Sequence, residues 1–207
     1  MSDVRIDGTL RVTGNLQVNG SLPTVSRSDL SLESDQIFSV PLQSLRVWDA
    51  IQTNLPGTSA TDDLAYSGGT FGTDSPHITT GDVKASSVTR YARFVYPLPV
   101  EYQDGQTVKL RLSAGMETTV SDTSATVDVV AYRSDRETGI GSDICATAAT
   151  TINSLTFANV DFTLTPTTLA AGDVLDIRIA IAVVDSATAT AVIAAIGAIE
   201  LLCDIKG

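Results

Sequence analysis

The residues that could do chemistry in this sequence are one histidine and a few acidic pairs. His77 lies between Pro76 and Ile78 in a polar stretch. Zinc sites use several spaced His or Cys ligands, and a catalytic serine is held in a recognisable nucleophile turn; the sequence shows neither pattern. The sequence around His77 therefore indicates that it is a surface histidine. We predict no catalytic residue, no metal site and no cofactor.

Acidic pairs are the second candidate chemistry, because two carboxylates can hydrolyse glycosidic bonds or bind calcium. Three pairs occur, all in loop-like stretches without DxDxDG spacing: Asp62–Asp63, Glu101–Asp104 and Asp135–Glu137. Solvated turns explain such pairs in an acidic protein. We predict that the chain is not an enzyme.

Aromatic residues in loops point to binding instead. Residues 57–80 are rich in Gly, Ser, Thr and Asp, which predicts loops, and they contain Tyr66, Phe71 and His77. These three residues support an alternative function, a tail-associated or fibre-like module that recognises a glycan or receptor.

The charge of the chain argues against two classes of partner. The net charge is -11 and the 13 basic residues are scattered, so we predict neither nucleic-acid nor membrane binding. A loose basic group at Lys84, Arg90 and Arg93 predicts ordinary surface ion pairs. The N-terminus shows no secretory signal, which predicts folding in a cytoplasm.

Cys145 and Cys203 are the two cysteines, and they lie in apolar surroundings without CxxC spacing. This pattern favours two buried thiols. A disulfide between them stays open at the level of sequence.

The strongest internal pattern is a six-residue repeat over Ile6–Leu22. Gly8, Gly14 and Gly20 recur at that spacing, and every second position is apolar or glycine. Period-two alternation predicts extended backbone with one apolar face. A strip this thin cannot bury that face alone, so we predict that it packs against other copies of the chain. The alternative is an intramolecular hairpin that turns at Thr13-Gly14-Asn15 or at Asn19-Gly20.

A single helix is predicted after this arm. Leu42, Leu45, Trp48, Ile51 and Leu55 recur at a nearly helical spacing, with Pro41 before them and Pro56-Gly57 after them. The sequence thus predicts an arm over 1–24, a linker over 25–64 with a helix near 42–55, and a main domain over 65–207.

The main domain reads as a series of strands. Turn signals separate the runs, and no helices alternate with them, which predicts a mostly β, antiparallel, jelly-roll-like β-sandwich. In one run Leu175, Ile177 and Ile179 oppose Asp176 and Arg178. The predicted strands are Ser87–Val100, Gln106–Ala114, Ala125–Asp135, Leu155–Leu164, Val174–Val184 and Ala191–Ile205.

Two stretches resemble a known class of proteins. GTLRVTGNLQVNGSL is similar to the glycine-spaced repeats of tailed-phage fibre and spike proteins, and FTLTPTTLAAGDVLDIRIAIAV looks like a strand entry in jelly-roll virion domains. The resemblance implies a bacteriophage capsid decoration (cement) protein, made in the host cytoplasm and located on the capsid surface of the virion. Its implied partners are further copies of itself, as a homotrimer, and the major capsid protein.

The predicted assembly residues come from the arm and the helix. They are Ile6, Leu10, Val12, Leu16, Val18, Leu22, Leu45 and Trp48.

Overall fold

Two antiparallel sheets pack face to face in the computed structural model, which describes residues 35–134, 137–165 and 169–205. The architecture is a jelly-roll-like β-sandwich, as the sequence predicts. Its strands are β1 (Asp35–Ser39), β2 (Ala65–Ser67), β3 (His77–Thr79), β4 (Ser87–Pro97), β5 (Val108–Met116), β6 (Ser124–Ser134), β7 (Thr150–Thr151), β8 (Ala158–Leu164), β9 (Val174–Val184) and β10 (Ala194–Asp204).

The first sheet, sheet A, has six strands built around β10. One side of β10 pairs with β5, which pairs in turn with β8. The other side pairs with β3 near Ala195 and with β1 from Glu200 to Asp204. The short β2 completes this side by pairing with β3.

The second sheet, sheet B, has four strands in the order β4-β9-β6-β7. Its first three strands are each 11 residues long and run in register along their whole length. Strand β9 therefore lies between two neighbours, β4 and β6, that pair with it over its whole length. Whatever chemistry sheet B offers on its outer face is placed on a regular, well-supported surface.

The core lies between the sheets and follows the predicted alternation. In β5, Val108, Leu110 and Leu112 share the buried face. In β9, alternate residues from Leu175 to Val183 are buried and most of the residues between them are half-exposed. Strict alternation of this kind is expected when one face of an antiparallel sheet is covered and the other is wet.

The edge of sheet B is partly covered by the segment that precedes β2. Arg46 exchanges two backbone hydrogen bonds with Arg93, at 2.7 and 3.0 Å. Tyr91 donates to Asp62 and accepts from Leu64 in the same way, at 2.7 and 3.0 Å. These bonds occupy an edge that would otherwise be open to another strand.

The predicted helix near 42–55 is wrong. Only a three-residue 3-10 turn forms, Leu42–Ser44, and the chain then becomes extended. The backbone of Arg46 bonds to β4 and that of Val47 bonds to Thr53, which replaces the helical bonds. Edge pairing and burial of Leu45 and Leu55 outweigh a weak helical propensity.

All six predicted strands occur, with bounds that differ by a few residues. The short strands β1, β2, β3 and β7 were not predicted, because two to five residues in polar text give no clear periodicity. Within the predicted linker, β1 pairs with β10. The predicted arm 1–24 lies outside the described residues. Within the ranges that the structure describes, no helix is long and apolar enough to cross a membrane.

Candidate functional site

A hairpin at one end of sheet A borders a concave surface. Strands β2 and β3 pair directly, with Ser67 opposite His77, and residues 68–76 connect them. The connection starts at Gly68, whose φ is +74° and whose missing Cβ would lie 2.0 Å from the Ser75 carbonyl oxygen. Only glycine fits this position, so the loop is closed at its base by backbone contact.

The floor beside this loop is made by an aromatic ring lying on glycine. Phe157 precedes β8, and a Cβ on Gly115 would lie only 2.7 Å from its ring. A Cβ on Gly197, in the adjacent strand β10, would lie 3.7 Å from the same ring. The two glycines leave room for Phe157 to pack against sheet A, and Phe157 lines the same concave surface as the loop.

His77 and Glu117 join the loop to the end of β5. Nε2 of His77 lies 2.6 Å from Oε1 of Glu117, and Nδ1 lies 2.9 Å from the Ser75 carbonyl oxygen. The first contact has the distance of an ion pair but not the alignment of a hydrogen bond, and Nε2 is fully buried. Neither ring nitrogen is therefore open to a substrate, so His77 holds the loop in place and cannot act as a general base in this conformation.

The loop cleft is the concave surface on both sides of residues 68–76. One part has a volume of about 610 Å³ and the other about 490 Å³. Phe71, at the tip, is fully exposed, at 103% of its reference area. The polar side chains that line the larger part are Ser67, Thr73, Asp74, Ser75, His77 and Glu117.

Hydrogen bonds also join the β5–β6 loop, which follows Glu117, to the β9–β10 loop. Thr118, next to Glu117, donates its hydroxyl to the Ala191 carbonyl at 2.6 Å. Asp122 accepts hydrogen bonds from the backbone and hydroxyl of Ser186 and from the backbone of Ala187, at 2.7–2.9 Å. These bonds, the backbone N–H of Ser186 foremost, lower the pKa of Asp122 to about 2. The ionised carboxylate thus ties the β5–β6 loop to the β9–β10 loop.

A smaller cavity of about 210 Å³ lies on the outer face of sheet B. We call it the sheet-face cavity. Its lining combines apolar rings with opposite charges: Trp48, Arg93, Tyr132, Ile140, Asp176 and Arg178. Trp48 reaches it from the loop after the 3-10 turn, and its indole N–H donates to Asp62 at 2.9 Å.

Arg178 lies against two aromatic rings at the base of this cavity. Its guanidinium carbon is 5.7 Å from the centre of the Trp48 ring and 5.0 Å from that of Tyr91. The two rings are themselves 5.1 Å apart and tilted by 48°. Cation–π attraction of this kind contributes about 0.5–1 kcal/mol at exposed sites and more where water is excluded.

Two other arginines on the outer faces have a carboxylate partner. Arg93 forms a two-pronged ion pair with Asp176, in which Nε lies 2.7 Å from Oδ1. Arg111 in sheet A forms the same kind of pair with Asp161, at 2.7 and 2.9 Å. The Arg178 side chain makes neither a hydrogen bond nor an ion pair with any residue in the described ranges, and its buried Nε has no partner there.

The predicted assembly residues have different fates. Leu45 is fully buried in the core of its own chain, so it offers no surface to a second copy. Trp48 is half-exposed on sheet B, where it contributes to the sheet-face cavity. The six residues of the arm, from Ile6 to Leu22, lie outside the described residues.

The other sequence candidates are dispersed. Phe71 and His77 line the loop cleft, whereas the hydroxyl of Tyr66 donates to the Leu42 and Leu45 carbonyls at 2.8 and 3.1 Å and stays out of it. Among the described ranges, no group of three acidic, His or Cys side chains could hold a metal. Asp62–Asp63, Glu101–Asp104 and Glu137 lie outside the named strands, and Asp135 lies outside the described residues.

The predicted ion pairs and thiols also have clear outcomes. Arg93 pairs with Asp176 and Lys84 lies 3.8 Å from Asp82, whereas Arg90 points toward the core side, where burial lowers its pKa. Cys145 and Cys203 are not joined by a disulfide. Cys203 is buried and Cys145 half-buried, and burial raises the pKa of the Cys145 thiol.

Sequence reasoning missed the partners that complete both surfaces. Glu117 and Phe157 come from loops far along the chain, and only the glycines at 115 and 197 hint at a close contact on sheet A. Arg178 and Asp176 carried a usable signal, since charges on the outward positions of a long central strand indicate a functional or paired face.

Comparisons with known proteins give a weak structural likeness. No protein-family model and no curated protein matches the chain. Solved structures that match include the CBM22-1 xylan-binding domain from Paenibacillus barcinonensis Xyn10C, at 8% identity and a TM-score of 0.40, covering 70% of this chain and 83% of that one. Another is the xylan-binding module CBM15, at 13% identity and a TM-score of 0.42, covering 84% of this chain and all of that one.

A third match is the CBM22-1–GH10 part of Clostridium thermocellum xylanase 10B in complex with xylohexaose. The identity is 14%, the TM-score is 0.42, and the match covers 82% of this chain and 28% of that one. Values this low transfer no function to this chain. The two surfaces are therefore interpreted from their own residues.

Proposed function

We propose that this chain is a non-catalytic glycan-binding module that holds an oligosaccharide in the loop cleft. The observation that carries the proposal is the meeting of Phe71, Phe157, Asp74 and Glu117 around one loop. Aromatic rings cover the apolar faces of sugar rings, while carboxylates and hydroxyls bond to sugar hydroxyl groups. Both parts of the cleft fall in the range of about 300–1,000 Å³ that is usual for small-ligand sites.

The same surface favours binding over catalysis. The buried Nε2 of His77 is held against Glu117 and its Nδ1 against Ser75. Retaining and inverting glycosidases need two carboxyl groups at a fixed separation with one of them free to donate a proton. Because Glu117 is engaged with His77, the cleft offers no such pair.

The cleft is open rather than enclosed, and Phe71 stands in solvent at its rim. An exposed phenylalanine in a glycine-rich loop adds no buried apolar surface to the free chain. It gains stabilising contacts only when a ligand covers it. We therefore assign Phe71 the role of a stacking residue and Asp74 the role of a hydroxyl acceptor.

A glycan array followed by calorimetry on the full chain tests the proposal. We expect hits among oligosaccharides, and we expect Phe71→Ala and Asp74→Asn each to weaken the best hit by about fivefold or more, as for a central contact residue. Val100→Ala is a matched control, since Val100 is an exposed apolar residue outside the cleft lining. An array without hits, or unchanged affinity in both cleft variants, would contradict the proposal.

A further inference from the structure

Arg178 carries donors that the chain leaves unfilled. A guanidinium has five N–H donors and no acceptor. Buried polar groups almost always find a partner, yet the solvent-shielded Nε of Arg178 has none among the described residues. No described residue accepts a hydrogen bond from the other two guanidinium nitrogens either, and these are the ones that a ligand can reach. The rings of Trp48 and Tyr91 hold the group in place without satisfying its hydrogen bonds.

The charged side chains that line the sheet-face cavity leave a positive remainder, and the Asp62 carboxylate, which accepts from the Trp48 indole N–H, lies just outside this lining. Arg93 and Arg178 are direct cross-strand neighbours, and like charges in that position repel each other. Asp176 neutralises Arg93 through the two-pronged pair. Tyr132 lies opposite Asp176 on the other side of β9. The charged groups lining the cavity, two arginines and one aspartate, thus sum to a single positive charge.

The walls of the cavity favour an organic ligand over a bare inorganic anion. Trp48, Tyr132 and Ile140 present apolar surface on which phosphate or sulfate would gain nothing. The volume of about 210 Å³ lies below the range of about 300–1,000 Å³ typical for drug-sized ligands. A single ring that bears a carboxylate fits both the size and the lining.

We propose that the sheet-face cavity binds a uronic acid, with its carboxylate on the guanidinium of Arg178 and its pyranose ring against Trp48 and Ile140. Arginine binds carboxylates through two parallel hydrogen bonds, which fix the ring as well as the charge. The net charge of -11 repels acidic ligands only weakly at this site, because salt screens exposed charges that lie more than about 8 Å away at physiological ionic strength. This site is separate from the loop cleft and does not depend on it.

Trp48 makes the proposal directly measurable, because it is the only tryptophan in the chain. Titration of the full chain with galacturonate or digalacturonate should shift the Trp48 indole N–H resonance and the fluorescence in a saturable way. Galactose, the neutral counterpart, should bind at least about tenfold more weakly, which corresponds to the loss of a charge-assisted hydrogen-bond pair. Inorganic phosphate should produce no saturable shift.

Variants separate the proposed site from its surroundings. Arg178→Leu should abolish the response to galacturonate, and Arg178→Lys should weaken it, since lysine keeps the charge but loses the planar fork. Arg111→Lys, on the outer face of sheet A, is the matched control and should bind as the parent does. A thermal unfolding curve for each variant confirms that the fold is retained.

The outcomes are distinct. Phe71→Ala and Asp74→Asn should leave galacturonate binding intact, so failure of the glycan proposal in the loop cleft would not affect this one. Equal affinity for galactose and galacturonate, a response to phosphate of equal strength, or unchanged binding by a folded Arg178→Leu variant would each overturn the proposal.

Discussion

The outer faces of the two sheets use the same residue type in opposite ways. On sheet A, Arg111 of β5 is closed by Asp161 of the neighbouring strand β8. On sheet B, Arg93 and Arg178 stand opposite each other, and the one carboxylate between the cavity-lining residues, that of Asp176, pairs with Arg93. On sheet A the arginine and the carboxylate neutralise each other, whereas on sheet B Arg178 lies against two aromatic rings without a carboxylate partner among the described residues. A paired arginine contributes to folding, and an unpaired one is left for a ligand.

The largest expected effect comes from removing the Asp176 carboxylate, the partner of Arg93. Asp176→Asn leaves Arg93 and Arg178 as opposed cations without a counter-charge, and we expect a loss of about 2 kcal/mol in the free energy of unfolding, as for hydrogen bonds to charged groups. Asp161→Asn should cost about half of that, because the Asp161 side chain is 33% exposed and that of Asp176 is 13% exposed. Urea unfolding of both variants makes the comparison, and an equal or larger loss for Asp161→Asn would contradict it.

A smaller effect is expected from removing the cations themselves. Arg178→Leu should change the free energy of unfolding by less than about 1 kcal/mol, because it gives up only a cation–π contact. Arg111→Leu should destabilise more, since it leaves Asp161 without the bonds that Arg111 supplies. Parallel urea curves test the order. If Arg178→Leu is the more destabilising of the two, Arg178 has a structural role and the contrast between the faces is wrong.

The smallest effect is the pH dependence that Asp161 gives to the free energy of unfolding. The hydrogen bonds from Arg111 lower the pKa of Asp161, so the folded state binds the proton less readily than the unfolded chain does. The stabilisation is therefore complete above the ordinary aspartate value of about 3.9 and is lost as the pH falls through the lowered folded value. Carboxyl NMR should find Asp161 titrating below that ordinary value, and Arg111→Leu should return it upward.

How far the sequence leads differs between the framework and the surfaces. Alternation in VLDIRIAIAV predicts the full length of β9 and both of its faces, because period-two patterning follows directly from strand geometry. The same kind of reasoning failed at Leu42–Leu55, where a nearly helical spacing came from residues that contact β4 through backbone bonds. Pairing across distant parts of a chain has no local signature.

The site could be predicted only in part for a similar reason. The loop containing Phe71 and His77 is visible as glycine-rich text, so its role in binding could be proposed from sequence. Its partners Glu117 and Phe157 lie 40 and 80 residues after His77 in the sequence. They contact the loop only because β5, β10 and β3 are neighbours in sheet A. Strand order sets that meeting, and strand order is not written in any one segment.

The predictions about assembly stand apart from both surfaces. A homotrimer, contacts with a major capsid protein and a position on the virion rest on the repeat over Ile6–Leu22 and on the resemblance of two stretches to virion proteins, and they stay predictions. Electron microscopy of labelled particles would test them. A sugar-binding surface and a role on a capsid are compatible, since each uses a different part of the chain.

The single glycine at the base of the loop has a consequence for protein engineering. Gly68 cannot be replaced, because any side chain there would meet the Ser75 carbonyl, whereas Gly69 has open space within 4 Å. Positions 69–71 and 73 can therefore be randomised in a library, while Gly68 and Gly72, whose φ is +79°, are kept. In evolution, too, such an arrangement allows a chain to change its ligand without risking its fold.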